Sequence, residues 1–154
     1  MHPLFSGGDK GRAMNRMDIL LTDTVTDEME AVIGDGLNDY NSQVAGYADS
    51  KPVAVVVRAP DTGRILGGAT GRTSFGLLFL DLFYLPPNLR KQGLGTRILH
   101  AFEEEGRRRG CTSAVLYTIS FQAPAFYERN GWRRFGEVPC HPEGTSRIFL
   151  SKTL

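Results

Sequence analysis

Residues 77–85, LLFLDLFYL, are apolar without alternation and are interrupted only by Asp81. That is the pattern of a strand covered on both faces. Pro86 and Pro87 stop it, and the stretch NLRKQG leads into Leu94, Ile98, Ala101 and Phe102 at helical spacing. A helix over residues 93–109 follows, with Glu103, Glu104, Arg107 and Arg108 expected on its solvent face. Gly110 stands where a left-handed residue ends a helix. Residues 111–119, CTSAVLYTI, read as the next strand, and a strand, helix and strand of this length make a right-handed parallel unit.

The same patterning organises the rest. Residues 17–21 form a short apolar run expected to be a first strand. Thr24 or Thr26 can cap a helix with Asp27 and Glu28 in its first turn, and Met29, Val32, Ile33, Leu37 and Tyr40 keep one face. Gly34 and Gly36 weaken that helix and suggest a break between two short ones. Strands at 53–58 and 64–70 flank the turn residues 60–63, and residues 73–76 turn the chain into the 77–85 strand. Ser120 is placed to cap a short helix from Gln122 to Arg129, with Pro124 in its first turn and Asn130–Gly131 ending it. Strands at 132–138 and 146–151 complete an α/β chain with a mixed sheet of about six to seven strands. Residues 1–16 have no period and read as a mobile extension; residues 17–154 read as one domain.

Eighteen basic and seventeen acidic side chains leave a net charge of +1 over 154 residues. No global field draws the chain to nucleic acid or to a membrane surface, so anion recognition has to be local. Cys111 and Cys140 make neither a disulfide framework nor a metal cluster, and they suit a reducing, cytoplasmic setting. His100 and His141 have no ligand spacing around them, so no metal is expected. The local anion site is legible at the start of the 93–109 helix. Its first-turn amides lack partners and carry the positive end of the helix dipole, Gly93 and Gly95 admit close approach, and Arg90, Lys91 and Arg97 add charge.

Arg90-x-x-Gly93-x-Gly95 resembles the pyrophosphate loop of the GCN5-related N-acetyltransferases, the GNAT superfamily. About thirty residues later, Ala123-Pro124-Ala125-Phe126-Tyr127-Glu128-Arg129-Asn130-Gly131-Trp132 resembles that family's second signature, A-x-x-F/L-Y-x-x-x-G-F. The resemblance implies helices on both faces of the sheet and two parallel strands, 77–85 and 111–119, that splay apart at their C-terminal ends. Acetyl-CoA would lie in the splay as co-substrate. Its pantetheine arm would pair with the backbone of Phe83, Tyr84 and Leu85, and its pyrophosphate would rest on the amides of Arg90, Lys91, Gln92, Gly93, Leu94, Gly95 and Thr96. Ser120 stands where family members often carry an asparagine that touches the cofactor.

An amine with a pKa near 10.4 is almost wholly protonated at pH 7, so acyl transfer to it needs a base, and the departing thiolate needs an acid. A tyrosine can supply that proton, and the resemblance assigns the role to Tyr127. Asp81, a carboxylate among apolar residues, is either structurally paired or functional, and it is the candidate base. A backbone N–H at Leu85 or its neighbour would meet the oxyanion. No covalent nucleophile is required. The expected activity is transfer of acetyl from acetyl-CoA to a primary amine of a small molecule, by direct attack in a ternary complex and as a monomer or homodimer. Peptide or protein N-acetylation, and a non-catalytic acyl-CoA sensor, are the alternatives.

Overall fold

The computed structural model describes residues 17–154, so the expectation for residues 1–16 lies outside the described residues. The described residues gather into two compact units, one up to Asn38 and one from Asp39 to Leu154.

In the first unit, residues 17–21 are not a strand. A run of five residues becomes a strand only by finding a ladder, and none of the described strands pairs with it. Helix α1, Asp27–Ala45, begins there and continues past Asn38. Thr26 caps it, its Oγ1 accepting the Met29 N–H at 3.2 Å. Gly34 and Gly36 do not divide α1, which runs unbroken for 19 residues. Each such glycine costs about 1 kcal/mol relative to alanine, too little to force a break.

The second unit is a six-stranded sheet in the order β1-β2-β3-β4-β6-β5. The strands are β1 (Lys51–Arg58), β2 (Ile65–Ser74), β3 (Leu77–Tyr84), β4 (Ser113–Ile119), β5 (Arg133–Cys140) and β6 (Thr145–Thr153). Only β3 and β4 pair in parallel, as the crossover through α2 (Leu94–Arg108) requires; the other neighbours are antiparallel. Helix α2 lays Ile98, Leu99, Phe102 and Gly106 against the sheet, where Leu78, Leu80, Ala114, Leu116, Ile148 and Leu150 complete the core. Its C-terminus closes with Gly110 at φ +82° and two reversed hydrogen bonds, Cys111 N–H to Gly106 O and Gly110 N–H to Arg107 O.

Two local expectations are corrected, those for Glu103 and for the helix after Ser120. Glu103 is not on the solvent face of α2 but is 1% exposed, because it continues the stripe Leu99, Phe102, Gly106 at helical spacing. Arg109 also turns inward. It bonds the carbonyls of Lys51 and Pro52 and the Thr73 hydroxyl, tying the end of α2 to β1 and β2. The short helix α3 spans only Pro124–Arg129, and Ser120 does not cap it. The Ser120 hydroxyl instead accepts the Ser146 N–H at 3.1 Å, while Gln122 turns back to Thr118 and Ile119.

Candidate active site

The parallel pairing of β3 and β4 runs from Leu77 with Ser113 to Leu80 with Leu116 and stops there. Both strands continue, β3 to Tyr84 and β4 to Ile119, so their C-terminal ends are not bonded to each other. The cause lies on the other side of β3. Thr70 pairs with Leu82 and Gly71 with Leu80, so Asp81 is an extra, bulged residue, and a bulge bends its strand and increases its twist. It also changes which side chains face the core: Leu78 and Leu80 before it, Phe83 and Leu85 after it. Gly71 permits this geometry. A Cβ there would stand 1.8 Å from the Phe79 carbonyl oxygen and 2.9 Å from the Phe102 ring.

Asp81 faces the side of the sheet away from α2. Arg72 Nη1 donates to both its carboxylate oxygens, at 3.0 and 3.2 Å, and the same guanidinium lies 4.2 Å from the Phe79 ring. The pair is half exposed. A carboxylate on an otherwise apolar strand is therefore both charge-paired and open to solvent beside the gap.

Tyr127 is on the opposite side, on α3, 7% exposed. Its ring packs among Phe83, Phe126 and Trp132 at centroid distances of 6.5, 5.1 and 6.1 Å. Among the described residues no hydrogen bond to its hydroxyl is present, and burial pushes its pKa up to about 12. Desolvation disfavours the phenolate, so the group holds its proton throughout the working range of pH. Phe83, two residues beyond Asp81, links Tyr127 to β3, so Tyr127 packs on the face of that strand end opposite to Asp81.

Between β3 and α2 the chain makes a 3₁₀ turn, Pro87–Leu89, and a tight loop. Lys91 and Gly93 both have left-handed φ, 61° and 75°. Such alternation turns successive amides toward one concavity, a geometry that binds anions. Gly93 is the N-cap of α2, and no side chain caps that helix. The amides of Leu94, Gly95 and Thr96 therefore stand in the positive end of the dipole without a side-chain oxygen. Arg90 is less free than its position suggested. Its Nε donates to the Leu85 carbonyl at 2.7 Å, so it clasps the end of β3 to the loop. Lys91, Gln92 and Arg97 remain exposed.

Ser120 follows the end of β4 on the far side of the gap, exposed, with its hydroxyl oxygen engaged by Ser146. Cys111 is buried at the other end of the sheet, and burial pushes its thiol up, which does not favour a thiolate nucleophile. No group of His, Cys, Asp and Glu with metal-binding geometry occurs among the described residues. Sequence reading missed the buried cluster behind Tyr127. Trp132 Nε1 donates to Glu103 Oε1 at 3.0 Å, and Lys152 Nζ donates to Glu103 Oε2 at 2.9 Å. The signal was present, since a buried indole N–H needs an acceptor and Glu103 is in the apolar stripe of α2.

The sequence pattern of the Acetyltransferase (GNAT) family matches residues 20–132. The acetyltransferase Atu2258 of Agrobacterium fabrum is 33% identical over 136 residues, covering 88% of this chain and 98% of that protein. Blasticidin-S acetyltransferase of Streptomyces morookaense is 34% identical over 95 residues, 61% of this chain and 70% of its own. A crystal structure from Agrobacterium tumefaciens superposes with a TM-score of 0.81 at 33% identity, covering 90% of this chain and all of that one.

Proposed function

The chain belongs to the acetyltransferase (GNAT) family and is an acyltransferase; from that premise we propose that it transfers acetyl from acetyl-CoA to a primary amine of a small molecule, by direct attack in a ternary complex. The observation that carries this reading is the parting of β3 from β4 beyond Leu80 and Leu116, next to an uncapped helix N-terminus. An extended thiol-bearing arm needs a strand edge with free backbone groups, and its pyrophosphate needs amides and positive charge. Residues 83–85, unpaired on the side of β4, offer the first apart from the Leu85 carbonyl that Arg90 holds, and residues 90–96 the second, with Ser120 across the gap.

In this reading the thioester carbonyl lies in the gap and the amine approaches from the face of Asp81. Asp81, directly or through water, takes the ammonium proton, and the free amine attacks the carbonyl carbon. The tetrahedral oxyanion is met by a backbone N–H at Leu85 or its neighbour. Collapse expels the thiolate of CoA toward the other face, where Tyr127 gives its proton to sulfur; the nitrogen sheds its remaining extra proton to solvent on the Asp81 face to leave the neutral amide, and water returns a proton to the Tyr127 phenolate. A phenol with pKa about 12 is a weaker acid than a free tyrosine. The same low-dielectric surroundings raise the basicity of a nascent thiolate, so acid and acceptor shift in the same direction. Both roles are consistent with the two faces on which Asp81 and Tyr127 lie.

A small-molecule acceptor is supported by the blasticidin-S acetyltransferase among the relatives. The test is CoA release from acetyl-CoA against a set of amines that includes blasticidin S, small polyamines and peptides with free N-termini. Turnover with a small amine bears the reading out. Turnover with peptides alone makes it a peptide acetyltransferase, and acetyl-CoA binding without turnover makes it a sensor.

A further inference from the structure

Helix α3 has six residues and cannot hold its own position in the fold. Of the three rings around Tyr127, Phe126 is on α3 itself and Phe83 is on the edge of the gap. Trp132 alone is tied by a side-chain hydrogen bond to another element, through its indole N–H to Glu103 on α2. Trp132 is also joined directly to Tyr127, its backbone N–H donating to the Tyr127 carbonyl at 3.1 Å. Glu103 and Trp132 are 1% and 2% exposed. Lys152 on β6 balances the carboxylate and donates to the Asn130 carbonyl at 2.8 Å, and Arg107 Nη2 lies 3.8 Å from Glu103 Oε2. A buried ion pair stabilises a fold no better than apolar residues of similar volume. What a leucine at position 103 could not do is accept the indole N–H and so set one orientation of that ring.

We propose that Glu103 is a positioning residue for acyl transfer: with Lys152 balancing its charge, it fixes the Trp132 indole, and the indole fixes the Tyr127 ring against the gap between β3 and β4. This rests on the reading of Tyr127 as the acid.

Three variants separate the possibilities. E103Q keeps an oxygen for the indole N–H. E103L combined with K152M removes the acceptor and leaves no ammonium unpaired. Y127F removes the acid. Each is measured for melting temperature, acetyl-CoA dissociation constant, and kcat and KM for acetyl-CoA with hydroxylamine as acceptor, an amine already neutral at pH 7. Protein with ring-13C tyrosine reports the Tyr127 resonance without any acceptor. The expected result for E103L/K152M is a folded protein with acetyl-CoA affinity within about twofold, kcat lowered about tenfold or more, and a shifted or doubled Tyr127 resonance, because small misplacements of a catalytic group are costly. E103Q should keep kcat within about threefold, since its amide oxygen still accepts the indole N–H. The proposal is overturned if folded E103L/K152M keeps both the kcat and the Tyr127 resonance of the parent, or if kcat and affinity fall together in both Glu103 variants. A slow Y127F beside a fast E103L/K152M overturns this inference alone. A Y127F that turns over at the parent rate overturns the acid reading and this inference with it.

Discussion

Tyr127 combines two properties that its surroundings impose, a ring packed between three others and a proton held up to about pH 12. If it is the acid, Tyr127→Phe should lower kcat about a hundredfold while the acetyl-CoA dissociation constant stays within about twofold, the range expected for loss of one general acid. Stopped assays of CoA release, with binding measured by calorimetry, check both. The raised pKa also links to stability. The folded pKa, about 12, exceeds the ordinary value of 10, so the folded state holds this proton more tightly than the unfolded chain. The resulting stabilisation is complete below pH 10 and is lost as pH rises toward 12. Between pH 9 and pH 11 the loss from this group should be about 1 kcal/mol. Urea unfolding at the two pH values should show it in the parent protein, and Tyr127→Phe should lack that part of the slope. Glu105 behaves in the opposite sense: hydrogen bonds from Arg108 and Arg109 hold its carboxyl down at about 2, in the last turn of α2.

At the scale of elements, β3 and its exit loop carry the candidate site. The bulge at Asp81 is compatible with β2 because position 71 has no side chain. Gly71→Ala would drive a methyl group into the Phe79 carbonyl, and the backbone of two strands would have to move. A loss of about 3 kcal/mol or more is expected, seen as a melting temperature lower by roughly 10 °C. At the loop, a Cβ on Gly95 would make ordinary contacts with Phe126 and Leu85, at 3.5 and 3.7 Å. Gly95→Ala should therefore fold normally. Gly95→Glu puts bulk and a negative charge at the uncapped N-terminus of α2, and it should weaken acetyl-CoA binding by about a hundredfold or more, roughly 3 kcal/mol of lost anion contacts. Parent-like affinity in Gly95→Glu would remove residues 90–96 as the pyrophosphate seat. Arg90 has a second task at this scale, since its bond to the Leu85 carbonyl joins strand to loop whether or not phosphate is present.

For the molecule as a whole, the first test is thermal unfolding with acetyl-CoA, with CoA, and with NAD as a control. A ligand at a hundred times its dissociation constant stabilises by about 2.7 kcal/mol, several degrees for a chain of this size. Stabilisation by acetyl-CoA and CoA but not by NAD is expected. No helix among the described residues is long and apolar enough to cross a membrane. What the sequence by itself determined was local and periodic. The order of elements from 51 onward, the strand, loop and helix around residues 90–96, and the Phe126-Tyr127 signature were all legible, because each rests on side-chain period or on a few adjacent residues. A cap at Thr24 or Thr26 and the stop at Gly110 were legible for the same reason, and the structure chooses Thr26. What only the tertiary structure decided depends on residues far apart in the chain. The register of β2 on β3 makes Asp81 a bulge and lets β3 and β4 part after Leu80 and Leu116. The packing of α2 buries Glu103 and turns Arg109 inward, and the pairing of Ser120 with Ser146 withdraws it from capping α3. The surroundings that raise the pKa of Tyr127 come from β3, α3 and Trp132 together. A burial pattern in one helix cannot reveal such a meeting, because desolvation and register are properties of the neighbours, not of the residue.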